Sequence, residues 1–74
     1  MDDILYRIGR RIVQLRTEQG ISQQDLAARC NFEKSNMSRI EYGRSNVTVG
    51  TLLTISRALG VRLRDLVDVE PENP

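Results

Sequence analysis

Residues 23–42 read QQDLAARCNFEKSNMSRIEY and predict two short amphipathic helices that meet at Asn31. Apolar side chains recur there at intervals of three and four residues, the spacing of one face of an α-helix. Both helices are short, and isolated helices of fewer than about 12 residues are marginally stable in water. We therefore expect the rest of the chain to pack against this pair and hold it in place.

The first helix of the pair is expected from Gln23 to Cys30. Ser22 precedes it and Asp25 follows in the first turn, which resembles a capping box. Asn31 stands at the bend, where the backbone needs a left-handed conformation that glycine adopts most easily and asparagine tolerates. The two helices should therefore be joined by a tight turn at this asparagine.

The second helix is expected from Lys34 to Tyr42, with Met37 and Ile40 directed into the core. Its outer face carries only basic and small polar side chains, namely Lys34, Ser35, Asn36, Ser38 and Arg39. This outer face has no acidic residue and no large apolar one. Such a face is suited to contact with a polyanion rather than with an apolar partner.

The pattern resembles the helix-turn-helix of phage repressors and of Cro/Xre-type regulators. The resemblance rests on an apolar residue at the fourth place of the motif, alanine at the fifth, a turn residue at the ninth, and apolar residues at the tenth, fifteenth and eighteenth. Those places hold Leu26, Ala27, Asn31, Phe32, Met37 and Ile40. The flanking segments fit as well, so the resemblance covers residues 4–67. Asn31 stands where glycine is commoner and Val47 where proline is frequent, and neither departure conflicts with the fold.

The resemblance implies an all-α fold, a compact five-helix lambda-repressor-like DNA-binding domain with its helix-turn-helix at helices 2 and 3. It also implies sequence-specific binding of double-stranded DNA by a transcriptional regulator that represses or activates by occupying its operator. The recognition helix, residues 34–42, would enter the major groove. Such domains usually bind as homodimers on pseudo-palindromic operators, and RNA polymerase is a further candidate partner.

The resemblance also carries over candidate DNA contacts. Base contacts are expected from the outer face of the recognition helix, where Arg39 or Lys34 would prefer guanine and Asn36 would prefer adenine. Phosphate contacts are expected from Gln23, Tyr42, Arg44, Ser45, Asn46, Arg10 and Arg11. Phosphate contacts fix the register of the protein on DNA without reading sequence. The alternative for each residue is an ordinary polar surface position. For Arg10 and Arg11 the alternative is a solvated basic face of the first helix.

Three further helices are expected around the motif. The first should run from Asp2 or Asp3 to Glu18, with a stripe formed by Leu5, Ile8, Ile12 and Leu15 and flanked by Ile4. The fourth should run from Val49 to Leu59 between Thr48 and Gly60, and the fifth from Leu63 to Val67. Residues 1–69 then form one domain, and residues 70–74 form an acidic flexible tail.

Arg16 and Glu41 are expected to form a partly buried ion pair. Arg16 lies beside the apolar stripe of the first helix, and Glu41 lies near the end of the recognition helix. The resemblance pairs these two places. The role would be structural, because removing one partner leaves an uncompensated charge in a partly buried site.

Composition excludes several other classes. The chain has 74 residues, one cysteine and no histidine, so it can form neither an internal disulfide nor a Cys/His zinc site. The acids are scattered and Cys30 is expected in the core, so we expect no catalytic residue, no metal and no cofactor. No apolar run of 18 residues could span a membrane, and a reduced cytoplasmic location fits the cysteine count.

Charge is distributed unevenly along the chain. The formal net charge is only +1, but residues 4–64 contain all 11 basic residues and only 4 acids, a local net charge of +7. The remaining acids lie near the two ends. The folded middle of the protein is therefore basic, which favours a nucleic-acid partner.

A dimer interface is expected from apolar residues that remain after the core is filled, namely Val47, Leu53, Val67 and Val69. The alternative is that these are scattered surface hydrophobes. A second class of function also stays open, in which the helix-turn-helix acts mainly as a protein-interaction or antitoxin-like module. The absence of an acidic residue on the outer face of the recognition helix favours DNA over that alternative.

Overall fold

A computed structural model describes residues 3–69, which form five α-helices and no strand within that range. The helices are α1 (Ile4–Glu18), α2 (Gln23–Cys30), α3 (Lys34–Glu41), α4 (Val49–Leu59) and α5 (Leu63–Val67). The predicted all-α fold is confirmed. The predicted tail, residues 70–74, lies outside the described residues, as do Met1 and Asp2.

The helix ends follow local sequence signals closely. Ser22 Oγ accepts the backbone N–H of Asp25 at 3.0 Å, and Thr48 Oγ1 accepts that of Thr51 at 3.1 Å. Each bond satisfies one of the free N–H groups of a helix start. The predicted bounds of α2, α4 and α5 are confirmed, whereas α3 ends one residue earlier than predicted because Tyr42 is its C-cap.

The turn between α2 and α3 has the predicted geometry. Asn31 is the only residue other than glycine with a positive φ among residues 3–69, at φ 58° and ψ 40°. Its position ends α2, and Phe32 after it packs half-buried against the core. The left-handed residue turns the chain sharply, so that α3 packs across α2.

The core is formed by buried side chains from all five helices and from Ile21. Its members are Ile8, Ile12, Ile21, Leu26, Ala27, Cys30, Met37, Ile40, Leu52, Ile55, Leu59 and Leu66. Of the predicted stripe on α1, Leu15 and the flanking Ile4 pack against this core, but Leu5 is half-buried outside it. At about 100° per residue, Ile4 and Leu5 flank the mean direction of Ile8, Ile12 and Leu15 on opposite sides at nearly equal angles, so periodicity alone does not decide which of them packs against the core.

Gly9 allows α1 to touch the end of α3 directly. A Cβ atom at Gly9 would lie 2.3 Å from the carbonyl oxygen of Glu41 and 2.6 Å from that of Ile40. Both neighbours are backbone atoms, so they cannot rotate away. The hydrophobic pattern does not predict this contact, which fixes α3 against α1 more closely than any side chain would permit.

None of the described helices is both long and apolar enough to cross a membrane.

Candidate nucleic-acid interface

The outer face of α3 is open to solvent. Lys34, Ser35, Asn36 and Arg39 are exposed and Ser38 is half-buried. None of these five side chains hydrogen-bonds or pairs with another described residue. Their donors and acceptors are therefore available to a ligand.

The inner face of α3 is almost completely buried. Met37, Ile40 and Glu41 lie there with exposed fractions of 0, 3 and 1 %. The first two fill the core, whereas Glu41 brings a carboxylate into it. A carboxylate at this depth needs charged or hydrogen-bonding partners.

Glu41 finds its main partner in Arg16, and the structure contains the ion pair that the sequence predicts. Arg16 Nε lies 2.9 Å from Glu41 Oε2, and Arg16 Nη2 lies 3.1 Å from Oε1. A third donor, Arg16 Nη1, bonds the carbonyl of Ile21 at 2.9 Å. Two parallel bonds between a guanidinium and a carboxylate fix both orientation and distance. The pair therefore holds the end of α3 to α1 and to the turn before α2.

Gln23 is the third member of this buried network. Its Nε2 donates to Glu41 Oε1 at 2.9 Å, and its side chain is half-buried. The sequence predicts a phosphate contact for Gln23 and does not predict the bond to Glu41, which lies 18 residues away. The amide thus has one N–H directed inward, and a phosphate contact by its remaining groups stays a prediction.

Arg10 is bound to the C-terminal end of α3. Its Nε and Nη2 donate to the carbonyl oxygen of Glu41 at 3.2 and 2.7 Å. Its guanidinium carbon also lies 5.3 Å from the ring centroid of Tyr6 and 4.8 Å from that of Tyr42. Arg10 therefore uses two of its donor atoms within the protein. The sequence predicts a phosphate contact for Arg10 and does not predict these bonds.

Arg11 is directed elsewhere. Its Nε donates to the carbonyl of Asp65 in α5 at 2.8 Å, and its Nη1 donates to Gln14 Oε1 at 3.0 Å. These bonds tie α1 to α5, so the guanidinium faces α5 rather than the end of α3. Two donor atoms of Arg11 are thus used within the protein, and its phosphate contact stays a prediction.

The loop after α3 brings the other predicted phosphate contacts together. Tyr42, Arg44 and Asn46 are exposed and Ser45 is half-buried. The guanidinium of Arg44 lies 5.9 Å from the ring centroid of Tyr42. This loop follows directly from α3, so its donors begin at the C-terminal end of that helix.

Two of the four predicted interface residues are not left over after the core is filled. Val47 and Val69 pack half-buried against the core of their own chain, because the loop after α3 and the segment after α5 both return to it. Leu53 and Val67 remain exposed, at 36 and 41 %. Val49, which the sequence pattern did not single out, is exposed at 69 %. The exposed large aliphatic residues of α4 and α5 are therefore Val49, Leu53 and Val67.

Two further titratable residues near the motif differ sharply in exposure. Cys30 is buried, and burial raises the pKa of its thiol, which fits its predicted place in the core. Glu33, the N-cap of α3, is exposed and makes no side-chain cap bond. Its carboxylate lies immediately before the outer face of α3, a position the sequence interpretation left out.

Among the described residues no group of three His, Cys, Asp or Glu side chains could hold a metal ion.

A short exposed helix, supported by a second helix across a left-handed turn and carrying unpaired polar and basic side chains, defines a helix-turn-helix DNA-binding domain. Comparison with known families agrees. The model of the Cro/C1-type HTH DNA-binding domain matches residues 11–72, and the chain belongs to this family. It is a DNA-binding transcriptional regulator.

The chain is similar over nearly its whole length to small control proteins. It is 38 % identical to the control protein C.MunI of Mycoplasma sp over 97 % of this chain and 100 % of that one. It shares 34 % sequence identity with the restriction-modification controller C.AhdI of Aeromonas hydrophila. Its fold matches the crystal structure of that protein with a TM-score of 0.81 over 84 % of this chain and 94 % of that one. It is 37 % identical to the biofilm regulator SinR in complex with DNA, with a TM-score of 0.77 over 82 % of this chain and 98 % of that one.

Proposed function

We propose that this regulator binds a pseudo-palindromic operator as a homodimer, with α3 of each protomer in the major groove. The observation that carries the proposal is the contrast within α3, whose outer-face side chains have no partner among residues 3–69 while its inner face is buried. In water an unpaired polar helix face carries no free-energy penalty, because solvent satisfies its hydrogen-bonding groups. When the protein binds DNA, base edges can take the place of those water molecules.

Base reading falls to the residues of the outer face of α3. Lys34, Ser35 and Asn36 occupy the first turn, the part of a recognition helix that reaches base edges, and Ser38 and Arg39 follow one turn later. Arg39 and Lys34 match the O6 and N7 acceptors of guanine, and Asn36 matches the N6 and N7 groups of adenine.

Phosphate contacts fall to the loop after α3 and to the start of α2. Arg44, Ser45 and Asn46 supply donors in the loop that follows α3, and Tyr42 begins this loop with the guanidinium of Arg44 5.9 Å from its ring centroid. Gln23 begins α2, whose first backbone N–H groups favour an anion. The two groups would contact the backbone on either side of the groove.

Dimerisation would use the exposed apolar residues Val49, Leu53 and Val67 on α4 and α5. A single helix in one groove contacts few base pairs, and a two-fold dimer doubles the site. We infer that such a dimer acts in the cytoplasm by occupying its operator, either blocking RNA polymerase or touching it.

Selection of bound fragments from random duplex DNA tests the proposal. The expected result is an enriched inverted repeat whose half-site centres lie about one helical turn apart. Mobility shifts on the enriched site and on a scrambled duplex, measured over a range of salt concentrations, then give the specificity. Failure to enrich any sequence, together with a strictly monomeric protein in sedimentation, would point instead to a protein-interaction module.

A further inference from the structure

Four side chains form a continuous tyrosine–arginine array along one edge of the molecule. In order they are Tyr6, Arg10, Tyr42 and Arg44, and each arginine lies over a neighbouring tyrosine ring at 4.8 to 5.9 Å. Arg10 lies over both rings, at 5.3 Å from Tyr6 and 4.8 Å from Tyr42. The array therefore runs from the first turns of α1 to the loop after α3.

The array is anchored at Arg10. This guanidinium donates two hydrogen bonds to the carbonyl oxygen of Glu41, at 3.2 and 2.7 Å, while it lies over the two rings. A cation at the C-terminus of a helix is favoured by the helix dipole, and its contact with an aromatic face adds to that. Arg10 thus fixes the last residue of α3 and the ring of Tyr42 at the same time.

The backbone of the loop is held to the same part of α1. Gly43 has φ 71°, and a Cβ atom there would lie 2.5 Å from the Cα of Tyr6. The loop therefore begins in direct contact with the α1 backbone, beside the array. Its first two residues are fixed by the ring contact and by this close approach, so the starting point of Arg44 is fixed as well.

We propose that Tyr6 and Arg10 are positioning residues for DNA binding, which act by holding Tyr42 and Arg44 in place for the phosphate backbone. This inference rests on the proposed DNA contacts of the loop. Arg10 itself is half-buried and has two of its donors on Glu41, so it is suited to orient the loop rather than to contact a phosphate. Tyr6 contacts the same guanidinium, whose carbon lies 5.3 Å from the centroid of its ring.

A double-mutant cycle separates positioning from direct contact. Arg10→Met, Arg44→Ala and the double variant are compared by affinity for the selected operator and for random duplex, at a temperature where circular dichroism shows all of them folded. If Arg10 acts through Arg44, Arg10→Met lowers affinity by about tenfold alone and by less than about twofold in the Arg44→Ala background, because coupled residues are not additive. Losses that multiply in full would overturn the proposal.

Conservative replacement provides a second readout. Lysine keeps the charge of Arg10 but has neither the planar group nor the paired donors that bond Glu41 and lie over the rings. Arg10→Lys should therefore bind as weakly as Arg10→Met, and an affinity near that of the wild type would show a simple charge contact instead. Arg57→Met is the control, since it removes an exposed arginine of α4 that is outside the array.

Fluorescence follows the array without relying on affinity. The chain has no tryptophan and only two tyrosines, so Tyr6→Phe leaves Tyr42 as the only tyrosine and the main source of fluorescence. Adding Arg10→Met to the Tyr6→Phe protein should raise the quenching of Tyr42 fluorescence by acrylamide. Binding of operator DNA should protect Tyr42 from acrylamide less in this double variant than in the Tyr6→Phe protein. Equal quenching with and without Arg10 would refute the positioning role, whereas failure of the wild type to bind any DNA would refute the proposed function itself.

Discussion

The two faces of α3 follow opposite rules. The inner face is buried, and each polar group on it has partners, most clearly the Glu41 carboxylate with Arg16 and Gln23. The outer face is exposed, and none of its five side chains has a partner within the described protein. One helix of eight residues therefore contributes to folding with one side and leaves the other side exposed, where we propose that it contacts DNA.

The largest effect is expected on the inner face, from Glu41→Ala. Removing the carboxylate leaves Arg16 largely buried without its charge partner, which costs about 3–5 kcal/mol. In a domain of this size that should lower the Tm by at least about 12 °C in a thermal melt. Glu33→Ala removes a carboxylate from the exposed N-cap of the same helix and should leave the Tm nearly unchanged. Equal melting of the two variants would contradict the difference between the faces.

A second, smaller loss is expected where α1 touches the same helix. Gly9→Ala places a methyl group 2.3 Å from a backbone oxygen, and overpacking of this kind costs about 1–3 kcal/mol. Gly50→Ala is the matched control, because the nearest atom to a Cβ there is Thr48 Oγ1 at 3.7 Å and Gly50 lies in α4. It should stabilise the protein by up to about 1 kcal/mol. Urea unfolding of both variants measures the sign, and a stable Gly9→Ala protein would show that α1 and α3 can separate.

On the outer face the effect should fall on recognition rather than on stability. Arg39→Ala should weaken binding to the selected operator by about 1–3 kcal/mol and relax the preference at one base pair. Arg44→Ala should weaken binding to all duplexes alike and reduce the salt dependence by about one phosphate contact. Both variants should melt like the wild type. Equal losses for Arg39→Ala on operator and on random DNA would remove it from the base-reading residues.

The smallest effect is expected at the border of the two faces. Glu33 is an exposed acid beside the outer face of α3 and opposes an approaching phosphate backbone. Glu33→Gln should raise affinity for random duplex by roughly twofold at low salt, and the gain should disappear at high salt because exposed charges are screened. A gain that persists at high salt would mean that Glu33 has a role other than long-range repulsion.

Local signals in the sequence predict the helices and the turn well, because caps, glycines and apolar spacing act within a few residues. Ser22, Thr48, Asn31 and Gly60 all behave as predicted. The Arg16–Glu41 pair was predicted only through the family resemblance, since periodicity identifies a face but not its partner.

The bond from Gln23 to Glu41 and the contacts of Arg10 with Tyr42 join residues 18 or more apart. Gly9 was missed for the same reason, because only the packed structure shows what a Cβ would meet.

The unpaired outer face of α3 makes the specificity of this domain transferable. Their side chains make no hydrogen bond or ion pair to any other residue that the structure describes, so the set Lys34, Ser35, Asn36, Ser38 and Arg39 can be exchanged for the corresponding residues of another regulator. Such a chimera should keep the melting behaviour of its host and recognise the donor's operator. The fold can in this way serve many control circuits through changes at a few codons.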